Sequence, residues 1–289
     1  YPDIAALIAA GGFEVLVNAT PSSFHVETTI AALQAGYHVL CEKPMAPTVA
    51  EFDRMAEAAA RAQRVLAPFQ NNRHQPFFIE LLRVVRSGIL GDLVHVRSVW
   101  GGFNRRWDWQ TMRQHYGGVL NNTCPHFLDI GLQLLGSPVK DLFCDLKQVL
   151  SPGDVEDHVK VILRGENGRV YDMEVSSVCK FEEPKWTVLG SLGTMISDGQ
   201  TSKLQWINPK ASSKIKQLDG AAPDRAYCQD TGLEWHETVE PTVGPSIGDF
   251  YDNVWAVLRQ GKEPVVKPEE ALQVVETIAA CKKYSGFYD

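Results

Sequence analysis

The sequence predicts an α/β domain joined to an α+β domain: a partial doubly wound parallel sheet over residues 1–73, then an open, mainly antiparallel sheet with helices on one face over residues 74–289. Three observations predict it. Residues 14–20 (EVLVNAT), 38–42 (HVLCE) and 65–69 (VLAPF) are short apolar runs of the kind that fill buried parallel strands, and two helical stretches separate them. That βαβαβ order, with right-handed crossovers, is half of a Rossmann-type nucleotide-binding domain. From residue 93 onward the runs alternate apolar with polar residues, and turns such as Glu166-Asn167-Gly168 mark consecutive hairpins.

Taken in order, the first strand ends in a Thr20-Pro21 turn, and Ser22 or Ser23 can cap the helix that runs to Gly36. Thr48 and Glu51 form a capping box for the Ala-rich helix ending near Arg64. No GxGxxG opens a helix after a strand, and Gly11-Gly12 stands between a helix-like stretch and a strand, the wrong order for a phosphate-binding turn. The expectation is therefore a chain that begins in mid-domain, after a β-α-β-α segment of roughly 60 residues.

A helix over residues 76–87 leads through Gly88 and Gly91 into a strand at 93–100, where Val94, Val96 and Ser98 alternate with His95, Arg97 and Val99. Further strands are expected at 155–163, 170–176, 186–190 and 194–198, and a long polar loop between Asn208 and Glu234. Ser246 and Asp249 then cap a helix to Gly261. Pro268 opens a last helix through Tyr284, expected to pack back on the first domain.

Composition excludes several classes. With 28 Lys and Arg against 35 Asp and Glu, a net charge of −7 and no basic stripe, nucleic acid is not expected as a partner. No apolar run approaches the length of a membrane span, and the first ten residues do not read as an export signal, so the expectation is no membrane association and a cytoplasmic location. Six dispersed cysteines (Cys41, Cys124, Cys144, Cys179, Cys228, Cys281) without a CxxC read as reduced thiols.

The chemistry concentrates in two stretches. Cys41, Glu42, Lys43 and Pro44 follow the second strand, where an open α/β sheet presents its carboxyl edge to the ligand crevice. Lys43 reads either as a group placed for chemistry, aimed by Pro44, or as a surface Lys-Pro at a strand end. In residues 117–129 (GGVLNNTCPHFLD), Asn122 and His126 are four apart and can share a helical face, and a His near a helix start is favoured neutral, as a general base requires. The same stretch also reads as a capping Asn with a half-buried structural His; Asp129 reads as a helix support or as the partner of a nearby cation. Asn71, Asn72 and Arg73 line the crevice or form a turn with a solvated Arg. Trp107, Asp108, Trp109, Arg113 and Tyr116 form a sugar-stacking wall or an ordinary packed loop. His115, Cys124 and His126 lack a fourth ligand at a recognised spacing, so no metal site is expected.

Together the segments ATPSSFH (19–25), CEKP (41–44), NNRHQP (71–76), GILGDLVHV (88–96), GGVLNNTCPHFLD and LGSLGTMISDG (189–199) resemble the Gfo/Idh/MocA family of NAD(P)-dependent oxidoreductases across nearly the whole chain. The resemblance implies NAD or NADP as cofactor, held by Thr20, Pro21, His25, Glu42, Lys43, Pro44, Asn72 and Arg73. It implies Lys43, His126 and Asn122 as catalytic residues, with Lys43 on the reacting oxygen, His126 as proton donor or acceptor, and a Lys43-Pro44 bond that can be cis. Lys43, Trp107, Arg113, Asn122 and His126 would contact a carbohydrate or polyol substrate, in a homodimer or homotetramer built through the second domain. Two positions depart from the family pattern: Asn122 replaces an Asp and Cys124 a Gly. Asn122 can hydrogen-bond a substrate hydroxyl or Lys43 but cannot accept a proton. The implied function is hydride transfer between nicotinamide and a secondary alcohol or ketone; a non-catalytic sensing relative and a cofactor-retaining glycosidase or lyase are the alternatives.

Overall fold

The computed structural model describes residues 1–212, 217–222, 225, 232–244 and 246–289. The first unit contains α1 (Ile4–Ala10), β1 (Val15–Asn18), α2 (His25–Gln34), β2 (His38–Cys41), α3 (Val49–Ala62) and β3 (Leu66–Pro68). Its strands pair in parallel in the order β1-β2-β3, with Val15 opposite His38 and Val39 opposite Leu66. The two-residue apolar repeat of an exposed strand is absent from β2, whose Val39, Leu40 and Cys41 are all buried, because helices cover both faces of a parallel sheet. Thr48 caps α3 by accepting from the Glu51 N–H at 3.2 Å, as the capping pattern predicts.

After α4 (Pro76–Ser87) the chain enters β4 (Leu93–Gly101), and a short helix α5 (Val119–Asn122) precedes α6 (Cys124–Leu135). Strands β5 (Val139–Lys147), β6 (His158–Gly165), β7 (Val170–Ser176), β8 (Trp186–Gly190), β9 (Gly193–Ser197), β10 (Thr201–Ile207) and β11 (Trp235–Pro241) follow, then α7 (Ile247–Gln260) and α8 (Pro268–Ser285). The eight strands form one sheet, β11-β10-β9-β8-β4-β7-β6-β5, antiparallel except where β4 meets β7. Strands β5, β10 and β11 were not anticipated: β5 is mostly exposed and β11 is exposed or half-buried along its whole length, so neither has the apolar alternation that marks a strand. The alternation read in β4 also fails at its start. A bulge between Leu93 and His95 turns Val94 outward, 56% exposed, while Leu93 and Val96 stay buried. The expected loop 208–234 lies partly outside the described residues, and Cys228 lies wholly outside them.

Helices α4, α6 and α8 pack on one face of this sheet, around Leu81, Leu128, Ile130, Tyr171, Trp186 and Ile278. Each large side chain buried there contributes about 1.5–3 kcal/mol of transfer free energy. Helix α8 serves both cores. Val274, Ile278 and Cys281 enter the second, whereas Ala271 and Val275 join Leu33, Val39 and Met55 in the first. The last helix therefore fastens the two units together. Among the described residues, no helix is long and apolar enough to cross a membrane.

Candidate active site

The carboxyl ends of β1, β2 and β3 form one edge, and the polar residues of the site hang from it. Asn18, fully buried at the end of β1, donates to the His25 carbonyl at 2.9 Å and to Thr29 Oγ1 at 3.0 Å, while its Oδ1 accepts from the Thr20 hydroxyl at 2.8 Å. Thr20 and Pro21 are thus fixed in the turn that opens α2. The Glu42 N–H donates to the Asn18 carbonyl at 3.0 Å, which extends the β1–β2 ladder by one residue and aims Glu42 and Lys43 past the sheet. The Lys43-Pro44 bond is cis.

Lys43 reaches across to the second unit: its Nζ donates to the carbonyl oxygen of Asn122 at 2.7 Å. Burial pulls its pKa below the usual ammonium value; Glu42 opposes this and Arg106 adds to it. Glu42 is pushed the other way by burial, with Lys43 opposing, and its Oε2 accepts from the Lys43 N–H at 3.2 Å. His126 lies where the Lys43 charge is felt. Burial first and Lys43 second lower its pKa to about 3, so the imidazole is neutral at any ordinary pH. Its Nδ1 is buried without a hydrogen-bond partner.

Asn122 and His126 do not share one helix. Pro125 has no N–H to give to the Asn121 carbonyl, and the chain breaks at Thr123 (φ −102°) between α5 and α6. The Asn122 side chain turns back on its own loop, donating to the Gly118 carbonyl at 3.0 Å, so it is the main-chain oxygen of Asn122 that serves Lys43. The paired glycines before α5 follow from packing. A Cβ on Gly118, at φ 99°, would lie 2.4 Å from Glu156 Oε1, and one on Gly117 would lie 2.4 Å from the Gln110 carbonyl.

Three expected site residues are committed elsewhere. His25 is buried, with its ring nitrogens 2.8 Å from the Pro44 carbonyl and 2.9 Å from the Thr20 carbonyl, so it braces the two strand-end turns. Arg73 is buried and grips Asp129 with two hydrogen bonds of 2.8 and 2.6 Å, Glu270 at 2.5 Å and the Val265 carbonyl at 3.0 Å. It is the cation that Asp129 needed, and it is not solvated. Arg113 donates to the Asp154 and Phe287 carbonyls, both at 2.7 Å, and stacks over the Phe287 and Tyr288 rings. Trp107 is 83% exposed. Asn72 is half-buried in a 3₁₀ turn beyond β3, beside Gln70 and Asn71.

Beside Thr123 a cavity of about 210 Å³ is lined by Trp100, Gly102, Asn104, Arg106, Ser151, Asp157, Ser176 and Ser177. Val119, Val155 and Val175 complete its wall, so its lining is apolar as well as polar, and Lys43, Asn122 and His126 are not part of it. Larger clefts lie between α6, β5 and α8 (about 770 Å³), beside α4 and β10 (about 540 Å³), between α2 and α3 (about 390 Å³) and between β3 and α7 (about 310 Å³), and none of them is lined by Glu42, Lys43, Asn122 or His126. Arg106, Thr123 and Ser176 were missed in the sequence because a single Arg in a loop, a Thr between two helices and a Ser at a strand end carry no periodic or spacing signal. Among the described residues, no group of three or more His, Cys, Asp and Glu side chains is disposed to hold a metal.

A dinucleotide fits this edge on chemical grounds. Gln70 Oε1, Asn71 Oδ1 and His126 Nδ1 are buried without partners, which leaves two amide acceptors and one ring nitrogen open to a polar group. Residues 1–70 match the model of the oxidoreductase family's NAD-binding Rossmann fold, and residues 78–196 match the Gfo/Idh/MocA C-terminal domain. The chain belongs to the Gfo/Idh/MocA oxidoreductase family. Among other members, an uncharacterized oxidoreductase of Schizosaccharomyces pombe is 27% identical over 99% of this chain and 83% of its own length. A scyllo-inositol 2-dehydrogenase (NADP(+)) of Bacillus subtilis is 25% identical over 94% of this chain and 76% of its own. The solved structure of an NAD-binding protein from Listeria innocua superposes with a TM-score of 0.84 at 27% identity, over all of this chain and 84% of that one. The two family models together match residues 1–70 and 78–196 of the chain.

Proposed function

We propose that this Gfo/Idh/MocA oxidoreductase moves a hydride between a nicotinamide cofactor, NAD or NADP, and a secondary alcohol or ketone of a sugar, polyol or sugar derivative. The observation that carries the reading is the Lys43 ammonium, held at 2.7 Å by the Asn122 carbonyl, together with a neutral His126 that feels its charge. Thr20, Pro21, Glu42, Pro44, Gln70, Asn71 and Asn72 stand at the strand ends where the cofactor would be held, and bound nicotinamide supplies the hydride chemistry. A polyol relative by name, the scyllo-inositol dehydrogenase, supports the substrate class.

The chain's own work is to hold the carbinol and handle one proton. An imidazole whose pKa lies near 3 does not keep a proton at neutral pH, so His126 orients the reacting hydroxyl as a neutral hydrogen-bond partner. Lys43, whose pKa burial lowers, is the group that exchanges the proton with the substrate oxygen. Arg106, Asn104 and Ser176 would grip neighbouring hydroxyls. The outer face of the large sheet, with Lys160 and Asp172 paired at 2.6 Å, suits an interface between copies in a homodimer or homotetramer. Light scattering reads that directly, and a monomer at assay concentration contradicts it.

Cofactor fluorescence titration followed by absorbance at 340 nm across a panel of polyols and sugar derivatives tests the function. Binding with turnover on at least one secondary alcohol is expected. Binding without turnover on any of them favours a sensing relative.

A further inference from the structure

We propose that Tyr288 is a positioning residue of the active site: through Glu156 it sets where the Asn122 carbonyl stands, and hence where Lys43 points. The route is a continuous line of hydrogen bonds. The Tyr288 hydroxyl donates to Glu156 Oε2. Glu156 Oε1 accepts from the Leu120 N–H at 2.7 Å, and its main-chain oxygen accepts from the Val119 N–H at 3.1 Å. Those two residues are the first turn of α5, a helix of four residues whose last carbonyl holds Lys43. So short a helix, with two main-chain hydrogen bonds of its own (Asn122 N–H to the Gly118 carbonyl at 3.0 Å, Thr123 N–H to the Val119 carbonyl at 2.9 Å), does not fix its own position. The buried Glu156 carboxylate does that instead, and Gly118 lets it approach where a Cβ could not.

Tyr288 is itself gripped. Arg113 donates to the Phe287 carbonyl at 2.7 Å and its guanidinium lies 4.8 Å from the centre of the Tyr288 ring, with Lys282 Nζ at 5.2 Å. Arg113 belongs to the loop just before Gly117, so the segment after α8 clamps the active-site loop from one side and α5 from the other. The charged and titratable groups facing Glu156 are Tyr288, Lys282 and the Cys124 thiol. Arg113 and Asp154 face Tyr288. A buried network of this kind transmits the loss of one member to the rest. The catalytic meaning of this line rests on the dehydrogenase reading; the geometry does not.

The test therefore reads Lys43 directly, by competitive acetylation with acetic anhydride across pH and peptide mass spectrometry, alongside kcat and KM. Tyr288→Phe keeps the ring and removes the hydroxyl. With α5 less constrained, the Asn122 carbonyl stabilises the Lys43 ammonium less, so Lys43 acetylates faster at pH 8, roughly threefold, on the scale of a weakened charged hydrogen bond. The exposed Lys140 serves as the unchanged reference. Glu156→Gln is expected to move Lys43 in the same direction, and the double variant no further than Glu156→Gln alone. On turnover, kcat falls on the order of tenfold with cofactor affinity retained. If Tyr288→Phe and Glu156→Gln only lower the melting temperature and leave Lys43 reactivity as in the parent chain, the positioning role is overturned. If one variant does not fold, the other decides. A shifted Lys43 in a protein that oxidises nothing sustains the positioning role and removes the dehydrogenase reading.

Discussion

The ammonium of Lys43 and the main-chain oxygen of Asn122 meet at 2.7 Å across 79 positions of sequence. Lys43 leaves the nucleotide-binding sheet at the end of β2, and Asn122 closes a short helix of the second unit, so this hydrogen bond is made only when the two units are docked. Helix α8, which contributes Ala271 to one core and Ile278 to the other, enforces the docking.

Replacing the proton-handling group should silence the chemistry without unfolding the protein. Lys43→Met keeps the length of the side chain and removes its charge and proton. It is expected to lower kcat/KM on the order of 10³-fold while cofactor binding persists. Steady-state kinetics with a parallel fluorescence titration checks this, and a Lys43→Met enzyme within tenfold of the parent contradicts the assignment.

Two neighbours should tune Lys43 in opposite directions. Glu42 raises its pKa and Arg106 lowers it, so Glu42→Gln moves the Lys43 titration to lower pH and Arg106→Gln moves it higher. The pH dependence of kcat/KM reports both. Shifts of the same sign in the two variants would show that Lys43 is not the titrating group.

His126 makes stability fall in mild acid. The folded imidazole takes a proton only near pH 3, whereas the unfolded chain takes it near the ordinary value of about 6.5. Between those values the unfolded chain holds the extra proton, so stability is full above about pH 6.5 and declines as pH drops, by up to about 1.4 kcal/mol per pH unit. Urea midpoints from pH 7 to pH 4 measure the slope. In His126→Gln it should flatten, and an unchanged slope would place the acid sensitivity in His25, His38 and His74, whose pKa values burial also lowers.

The Arg73–Asp129–Glu270 cluster ties the 3₁₀ turn after β3 to α6 and α8, and Asp129 lies three residues from His126. Arg73→Ala strands a buried carboxylate and is expected to cost about 3–5 kcal/mol. Lysine should not rescue it, because one ammonium cannot replace a guanidinium that makes four hydrogen bonds. Urea unfolding of Arg73→Ala and Arg73→Lys decides, and a lysine variant as stable as the parent contradicts the account.

Much of this was legible in the chain. The helix at Pro76–Ser87 and the strands Val170–Ser176 and Trp186–Gly190 fall where the periodicity puts them, and the CEKP turn stands at a sheet's carboxyl edge as expected. What escaped was tertiary. Nothing local distinguishes Arg73, which is buried against an Asp 56 residues away, from a solvated turn Arg. Arg113, promising beside Trp107, is spent on Phe287, 174 residues on. The helix predicted to carry both Asn122 and His126 was split by Pro125, a signal that was present and that the four-residue spacing overrode. Glu156 and Tyr288 gave no signal at all, since an acidic residue before a strand and a Tyr after a helix are ordinary in every local respect.

The most direct measurement is transfer itself. A polyol substrate from the panel, deuterated at its carbinol carbon, is incubated with the full chain and oxidised cofactor, and the reduced cofactor is weighed by mass spectrometry. One deuterium is expected in the reduced cofactor with the parent protein and none above background with Lys43→Met. Bound cofactor that stays oxidised and unlabelled with every polyol, or equal labelling in the Lys43→Met protein, would contradict it.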